Sequence, residues 1–122
     1  MLANFFSAMS NSSQSSQSHV ITPNQKHVLK ITEILFKEGL IQSYQILNNK
    51  IHIILKYHNN QPLFKKIALV SSSKRRRFIK INEVNKLPFH QIFIISTSKG
   101  FLTNQDAQRI GLGGELICVI HL

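Results

Sequence analysis

Ser96-Thr97-Ser98-Lys99-Gly100 is the stretch of this chain best equipped for chemistry. Ser and Thr hydroxyls both donate and accept hydrogen bonds, so they can meet phosphate, ribose or base edges. Lys99 adds a cation. Gly100 lets the backbone turn sharply, or lets a partner's backbone come close. No base can be assigned to these hydroxyls, so the set does not read as a nucleophile. A polar turn that only caps the helix after it uses the same residues, and residue chemistry alone leaves both readings open.

A second candidate lies upstream. Lys74-Arg75-Arg76-Arg77 runs into Phe78-Ile79-Lys80-Ile81. Four consecutive cations also suit a nuclear-localisation-like patch or a solvated turn. Here Arg77-Phe78 and Lys80 open an apolar run, which predicts cations on a rigid strand edge beside an aromatic ring. Cations fix phosphates, and a ring can stack on a base or sugar.

Catalysis finds no support. Glu33, Glu38, Glu83, Asp106 and Glu115 fall in separate predicted elements, with no paired-carboxylate motif. The histidines, His19, His27, His52, His58, His90 and His121, show no HExxH or similar ligand spacing, and there is no CxxC. No phosphate-binding glycine loop of the nucleotide-binding type is present. The expectation is no catalytic residue, no metal and no cofactor.

The elements must place these residues. Leu2, Phe5, Phe6 and Met9 recur at helical spacing and predict a short amphipathic helix closing over a core. Residues 11–18 are rich in Ser and Gln and read as a loop with nothing to bury. Thr22-Pro23-Asn24-Gln25 reads as a helix start, with Thr22 as cap, Pro23 in the first position and Gln25 completing a capping box. That helix should run to Glu38 and stop at Gly39, burying Val28, Ile31, Ile34 and Leu35. Its other face carries Lys26, Lys30, Glu33 and Lys37, and Lys26 and Lys30 are candidate extra phosphate contacts. Three strands should follow, over residues 41–47, 51–56 and 63–70, with turns at Asn48-Asn49 and at Asn59-Asn60-Gln61-Pro62. Ser71-Ser72-Ser73 marks a boundary, dividing the chain into residues 1–71 and 72–122.

In the second half a short polar turn ends at Leu87-Pro88, and residues 91–95 form the strand that presents Ser96. A short helix should begin at Thr103, with Asp106 near the capping-box position. Gly113 and Gly114 then feed a last strand, Leu116 to Ile120, apolar on both faces and hence central. Leu116, Cys118 and Ile120 should face one way, Ile117 and Val119 the other. Glu115, unusual in so basic a chain, should orient hydroxyls or a backbone amide and stiffen the loop. Cys118, the one cysteine, excludes an intrachain disulfide and reads as a buried inert thiol.

Composition agrees with a polyanionic partner. Fifteen Lys and Arg against five acids give a net charge of +10, while 43% hydrophobic residues suffice for a core. Nucleic acid and an anionic membrane surface both fit such a bias. No segment nears the roughly 18 apolar residues of a membrane span. The N-terminus, with no basic residue before Lys26, fits neither a secretory signal nor an Arg-rich transit peptide.

Ser-Thr-Ser-Lys-Gly at residues 96–100, followed by Gly-Leu-Gly-Gly-Glu-Leu-Ile-Cys at residues 111–118, resembles the C-terminal signature of the bacterial-type small-subunit ribosomal protein eight family. The resemblance extends upstream through Leu55-Lys56-Tyr57 and residues 34–41, and weakens before Thr22. It departs from the family pattern at three places. The charged N-terminal loop is absent; Lys74-Arg75 and Phe78 stand where a Pro-Gly turn and a tyrosine are usual; and Phe89-His90 replaces a glycine-rich loop.

The resemblance implies an α+β protein of two small subdomains. One has an N-terminal helix and a three-stranded antiparallel sheet; the other is mostly β with one short helix. It implies a structural, non-enzymatic component of the small ribosomal subunit that binds the central domain of its rRNA and supports assembly. The implied partners are small-subunit rRNA and neighbouring ribosomal proteins, with no small-molecule substrate and no membrane insertion. The rRNA-binding set is Lys74, Arg75, Arg76, Arg77, Phe78, Ser96, Thr97, Ser98, Lys99 and Gly100. Thr103, Gly113, Gly114 and Glu115 support it. A basic protein-interaction or membrane-surface module is the alternative, with a ribonuclease third. Richness in Ile, Asn, Lys and Phe suggests an AT-rich organellar gene, so a mitochondrial ribosome is expected, with plastid and bacterial cytoplasm as rivals.

Overall fold

A computed structural model of the chain describes residues 2–14, 18–72, 74–88 and 90–122. It divides into two units, Met1–Ile67 and Ala68–Leu122. The first contains α1 (Leu2–Gln14), β1 (His19–Pro23), α2 (Lys26–Lys37), β2 (Ile41–Leu47), β3 (Lys50–Leu55) and the short strands β4 (Tyr57–His58) and β5 (Gln61–Pro62). Strand β6 (Lys66–Leu69) runs through the boundary. The second continues with β7 (Phe78–Ile79), α3 (Ile81–Val84), β8 (Gln91–Thr97), β9 (Gly100–Thr103), α4 (Asn104–Ile110) and β10 (Gly114–His121). The architecture is α+β, as expected.

In the first unit, Ile51, Ile53 and Leu55 are buried while Lys50, His52 and Ile54 face outward, the expected period of two. Asn48 and Asn49 take φ of 51° and 59°, the left-handed pair that a two-residue hairpin needs. The antiparallel sheet has order β1-β3-β2. Its third strand is therefore His19–Pro23, not residues 63–70 as the sequence suggested. Val20 and Thr22 point into the core, alternating with exposed His19, Ile21 and Pro23. Pro23 is tolerated because it ends an edge strand. Thr22 is thus a strand residue rather than a cap, and α2 starts after Gln25, which makes no side-chain capping bond. Val28, Ile31 and Leu35 are buried as expected. Thr32 joins them, donating its hydroxyl to the Val28 carbonyl at 2.8 Å, while Ile34 is only half-buried.

The loop expected over residues 11–18 is corrected in its first part. Helix α1 continues through Asn11 to Gln14, and residues 15–17 lie outside the described residues. Ser13 is buried and donates to the Phe64 carbonyl at 2.6 Å. Ser10 Oγ accepts from Ile67 N–H at 3.0 Å. These hydroxyls satisfy backbone groups of the 64–67 segment, so a helix end without apolar residues still packs. Phe5, Phe6 and Met9 fill the core face, as their spacing predicts.

The second unit is a sheet of order β6-β10-β8-β9, with β7 also pairing β10. Residues 116–120 are all buried, as expected of a central strand. A bulge between Leu116 and Cys118 changes the facing. Leu116 and Val119, three apart, share one core cluster with Phe93, Ile95, Ile79, Val84 and Ala107. The strict alternation expected for this strand is therefore broken by one inserted residue. Strand β9 and helix α3 were not foreseen. The unit begins ahead of Ser71 and Ser72; Ser73, like Phe89, lies outside the described residues.

Candidate nucleic-acid interface

Strand β10 brings the two sequence candidates together. Glu115 pairs with Phe78 of β7 on one side and with Ser96 of β8 on the other. Ser96 pairs in turn with Phe101 of β9. Directly opposed residues project from the same face of a sheet, so Phe78, Glu115, Ser96 and Phe101 form one row. The neighbouring row, Leu116, Ile95 and Leu102, points into the core. Phe78 is 65% exposed, an aromatic face offered to solvent. With strands about 4.8 Å apart, Phe78 and Ser96 stand about 10 Å from each other across Glu115. Phe101, half-buried, was missed by sequence reasoning. Recognising it required reading Ser98-Lys99 as a two-residue hairpin loop, which fixes the register of β9 against β8.

The hydroxyl loop is that hairpin tip. Ser98 and Lys99 are exposed, Ser96 and Thr97 half-buried. Thr97 Oγ1 donates to the Gly100 carbonyl at 2.9 Å and accepts from Lys99 N–H at 3.1 Å. Its hydroxyl shapes the turn, while Ser98 stands free at the tip. Gly100 has φ of 98°, a conformation that costs an ordinary residue strain. At the base of β9, Thr103 caps α4 by accepting from Asp106 N–H at 3.2 Å, as expected. Asn104 Oδ1 accepts from Phe93 N–H at 3.1 Å and ties α4 to β8. Gly113 and Gly114 support the site by absence of bulk. A Cβ on Gly114 would overlap the Ser96 carbonyl, and one on Gly113 the Ile79 carbonyl.

The four cations sit on a closed loop that precedes β7, rather than on a strand edge. Ser71 is buried; its Oγ accepts from Arg77 N–H at 2.9 Å and donates to the Arg77 carbonyl at 3.3 Å. Ser72 and Arg75 exchange backbone hydrogen bonds at 3.0 and 3.1 Å. The Arg77 carbonyl also accepts from Leu116 N–H at 2.8 Å, anchoring the loop to β10. Lys74, Arg75, Arg76 and Arg77 are exposed. Arg76 Nε lies 3.4 Å from Glu115 Oε2, and the Glu115 side chain is only 17% exposed. The structure thus gives Glu115 a guanidinium partner, where the sequence suggested a hydroxyl or backbone amide. Lys26 and Lys30 are exposed on α2, in the first unit.

Burial pushes the Cys118 thiol well above its ordinary range, and a backbone hydrogen bond involving Ile94 opposes this only in part. Among the described residues no group of three or more His, Cys, Asp or Glu could hold a metal ion. No helix among them is long and apolar enough to cross a membrane.

Comparison with known proteins adds a family. The family model described as Ribosomal protein S8 matches residues 1–121. The small ribosomal subunit protein uS8 of Dictyoglomus thermophilum is 34% identical over 124 residues, covering 98% of this chain and 95% of that protein. That of Dictyoglomus turgidum is 37% identical over 106 residues, covering 83% and 81%. The uS8m protein of Acanthamoeba castellanii is 32% identical over 125 residues, covering 99% and 98%.

Proposed function

The chain belongs to the ribosomal protein S8 family, and we propose that it binds the central domain of small-subunit rRNA and supports assembly there through the outer row at the end of its second sheet. The family is a structural, non-enzymatic component of the small ribosomal subunit, with rRNA and ribosomal proteins as partners. Membership supports the class of RNA. The observation that carries the site is the row Phe78, Glu115, Ser96, flanked by the cation loop on one side and the hairpin tip on the other.

On this reading Lys74, Arg75, Arg77 and Lys99 hold backbone phosphates and position the protein. Phe78 stacks on an unpaired base or sugar; it keeps an aromatic face without a phenolic hydroxyl. Ser96 and Ser98 meet sugar hydroxyls and base edges at an irregular element, because the deep major groove of regular A-form RNA does not admit side chains. Thr97 and Gly100 act by shaping the turn that presents Ser98, and Arg76 acts by steadying Glu115. Residues 72–122 then carry RNA binding, and residues 1–71 face other partners, with Lys26 and Lys30 as secondary phosphate contacts.

Binding constants on the cognate rRNA fragment and on a scrambled RNA test this. Phe78→Ala should cost about 1–3 kcal/mol on cognate RNA through lost stacking. Ser98→Ala should cost about 1–3 kcal/mol on cognate RNA by leaving a partner group unpaired, and almost nothing on scrambled RNA. Parent-like cognate affinity in both variants removes the site.

We place the protein in the mitochondrial small subunit. An Ile-, Asn-, Lys- and Phe-rich composition supports this, as does similarity to a relative whose name marks it as mitochondrial. Co-fractionation with mitochondrial ribosomes is the expected result; recovery with plastid or bacterial ribosomes overturns it.

A further inference from the structure

The free edge of the first unit's sheet is uncharged in a chain that is otherwise strongly basic. From Leu40 to Asn49 there is no charged residue, although the chain carries fifteen Lys and Arg. Strand β2 lies at one end of the order β1-β3-β2. Gln42, Ser43, Gln45, Ile46 and Leu47 are exposed, so no described element of the first unit covers this edge. Proteins usually blunt such edges with Lys, Pro or a covering element. The opposite edge, β1, ends on Pro23; β2 has neither Lys nor Pro, and its one irregularity, between Ile41 and Ser43, precedes Tyr44 and Ile46.

The hairpin settles which backbone groups are free. Leu47 and Lys50 flank the two-residue turn and form a hydrogen-bonded pair, and bonded pairs alternate along an antiparallel ladder. The N–H and C=O of Tyr44 and Ile46 therefore point away from β3. Their side chains lie on the face shared with Ile53 and Ile51, beside Phe36 of α2. Phe36 is 50% exposed and Ile46 45% exposed; the Phe36 ring meets Tyr44 edge-on at 5.6 Å. Free backbone groups and an apolar ledge thus coincide on the same two residues.

We propose that β2 is a docking edge for an extended segment of a neighbouring small-subunit protein. The segment adds as a further strand, with apolar side chains at alternate positions covering Phe36, Tyr44 and Ile46. Strand addition draws affinity from main-chain hydrogen bonds and specificity from alternate side chains, which is what this edge offers. A phosphate backbone finds no cation on this strand, so the counterion release that dominates nucleic-acid affinity is missing here. A second copy brings another net charge of +10 against the first, and their repulsion opposes pairing. This inference rests on membership of the small subunit and not on the RNA site.

The test places a photo-crosslinking amino acid at Ile46, or at Gln45 as control, in the full chain assembled into small subunits. Gln45 is next along the strand but projects from the other face, with its backbone turned toward β3. The expected result is an adduct from position 46 to one stretch of one neighbouring ribosomal protein, and a much weaker one from position 45. Ile46→Lys should lower that neighbour's occupancy in purified subunits several-fold, while Gln45→Lys, with the same added charge, leaves it at the parent level. Both variants should keep parent affinity for rRNA, so failure here is distinct from failure of the RNA site. An adduct to rRNA, an adduct to a second copy, or no protein adduct from position 46 overturns the proposal. So does equal loss of the neighbour in the two Lys variants. If Ile46→Lys melts early, the crosslink alone decides.

Discussion

Gly114 shows how tightly single residues constrain the site. Its hydrogen occupies the space where a side chain would strike the Ser96 carbonyl. Gly114→Ala must therefore push β10 away from β8 at the centre of the outer row. The expected cost is about 1–3 kcal/mol of stability from forced overpacking. Cognate RNA affinity should fall as well, because Glu115 and Ser96 move with the backbone. Thermal melts and binding constants check both; unchanged values would show that the two strands yield without consequence. Cys118 gives a second residue-scale expectation. The folded chain holds its thiol neutral by burial, whereas the unfolded chain ionises above the ordinary value of 9.0. The stabilisation is therefore complete below that pH and declines as pH rises beyond it. At pH 8 an alkylating reagent should label Cys118 only as fast as the chain opens; immediate labelling in native buffer would contradict the burial. Exposure matches the sequence reading for Ser98, Lys99 and Phe78, whose proposed contacts follow from residue type. Phe101 was not legible, because its place depends on the register between β8 and β9; Gly114 reads as support from the sequence, but its close approach to Ser96 depends on the register between β10 and β8.

At the scale of elements, hydrophobic period served well where one face is plainly buried. Ile51, Ile53 and Leu55 gave β3, and Val28, Ile31 and Leu35 gave α2. It failed where one short motif suits two structures. Thr22-Pro23 reads equally as a helix cap and as the end of an edge strand, and pairing with β3 decides for the strand. It failed again at the end of α1, where serines take the place of apolar residues. Ser13 donates to the Phe64 carbonyl from a buried position. Ser13→Ala should then cost about 1–3 kcal/mol, because a buried acceptor loses its donor. Ser18→Ala, exposed beyond the helix, should cost almost nothing. Equal melting temperatures for the two variants would mean that the end of α1 does not pack on the 64–67 segment. The last strand is the opposite case, legible and indispensable. Removing residues 116–122 deletes buried side chains worth roughly 1.5–3 kcal/mol each. That sum is comparable to the whole of a small domain's stability, roughly 5–15 kcal/mol. A folded, soluble truncation would contradict the central place of β10.

Charge acts at the scale of the whole molecule. A net charge of +10 supplies attraction to any polyanion and no discrimination among them. Discrimination must come from uncharged groups in the row, so salt separates the two contributions. With about four cations on phosphates, affinity should fall about 10²-fold between 50 and 200 mM salt by the duplex rule. Arg77→Ala should make the salt slope shallower by about one unit on cognate and scrambled RNA alike. Arg76 differs because Glu115 already offsets its charge at 3.4 Å. The charge-neutral pair Arg76→Ala with Glu115→Gln should therefore leave the slope near that of the parent. It should still weaken cognate binding, since the middle of the row loses its ion pair. A salt series on the three proteins decides. If Arg77→Ala keeps the parent slope, the cation loop is a solvated turn and the phosphates are held elsewhere. If the double variant loses as much slope as Arg77→Ala, Arg76 is itself a phosphate contact and Glu115 does not hold it back.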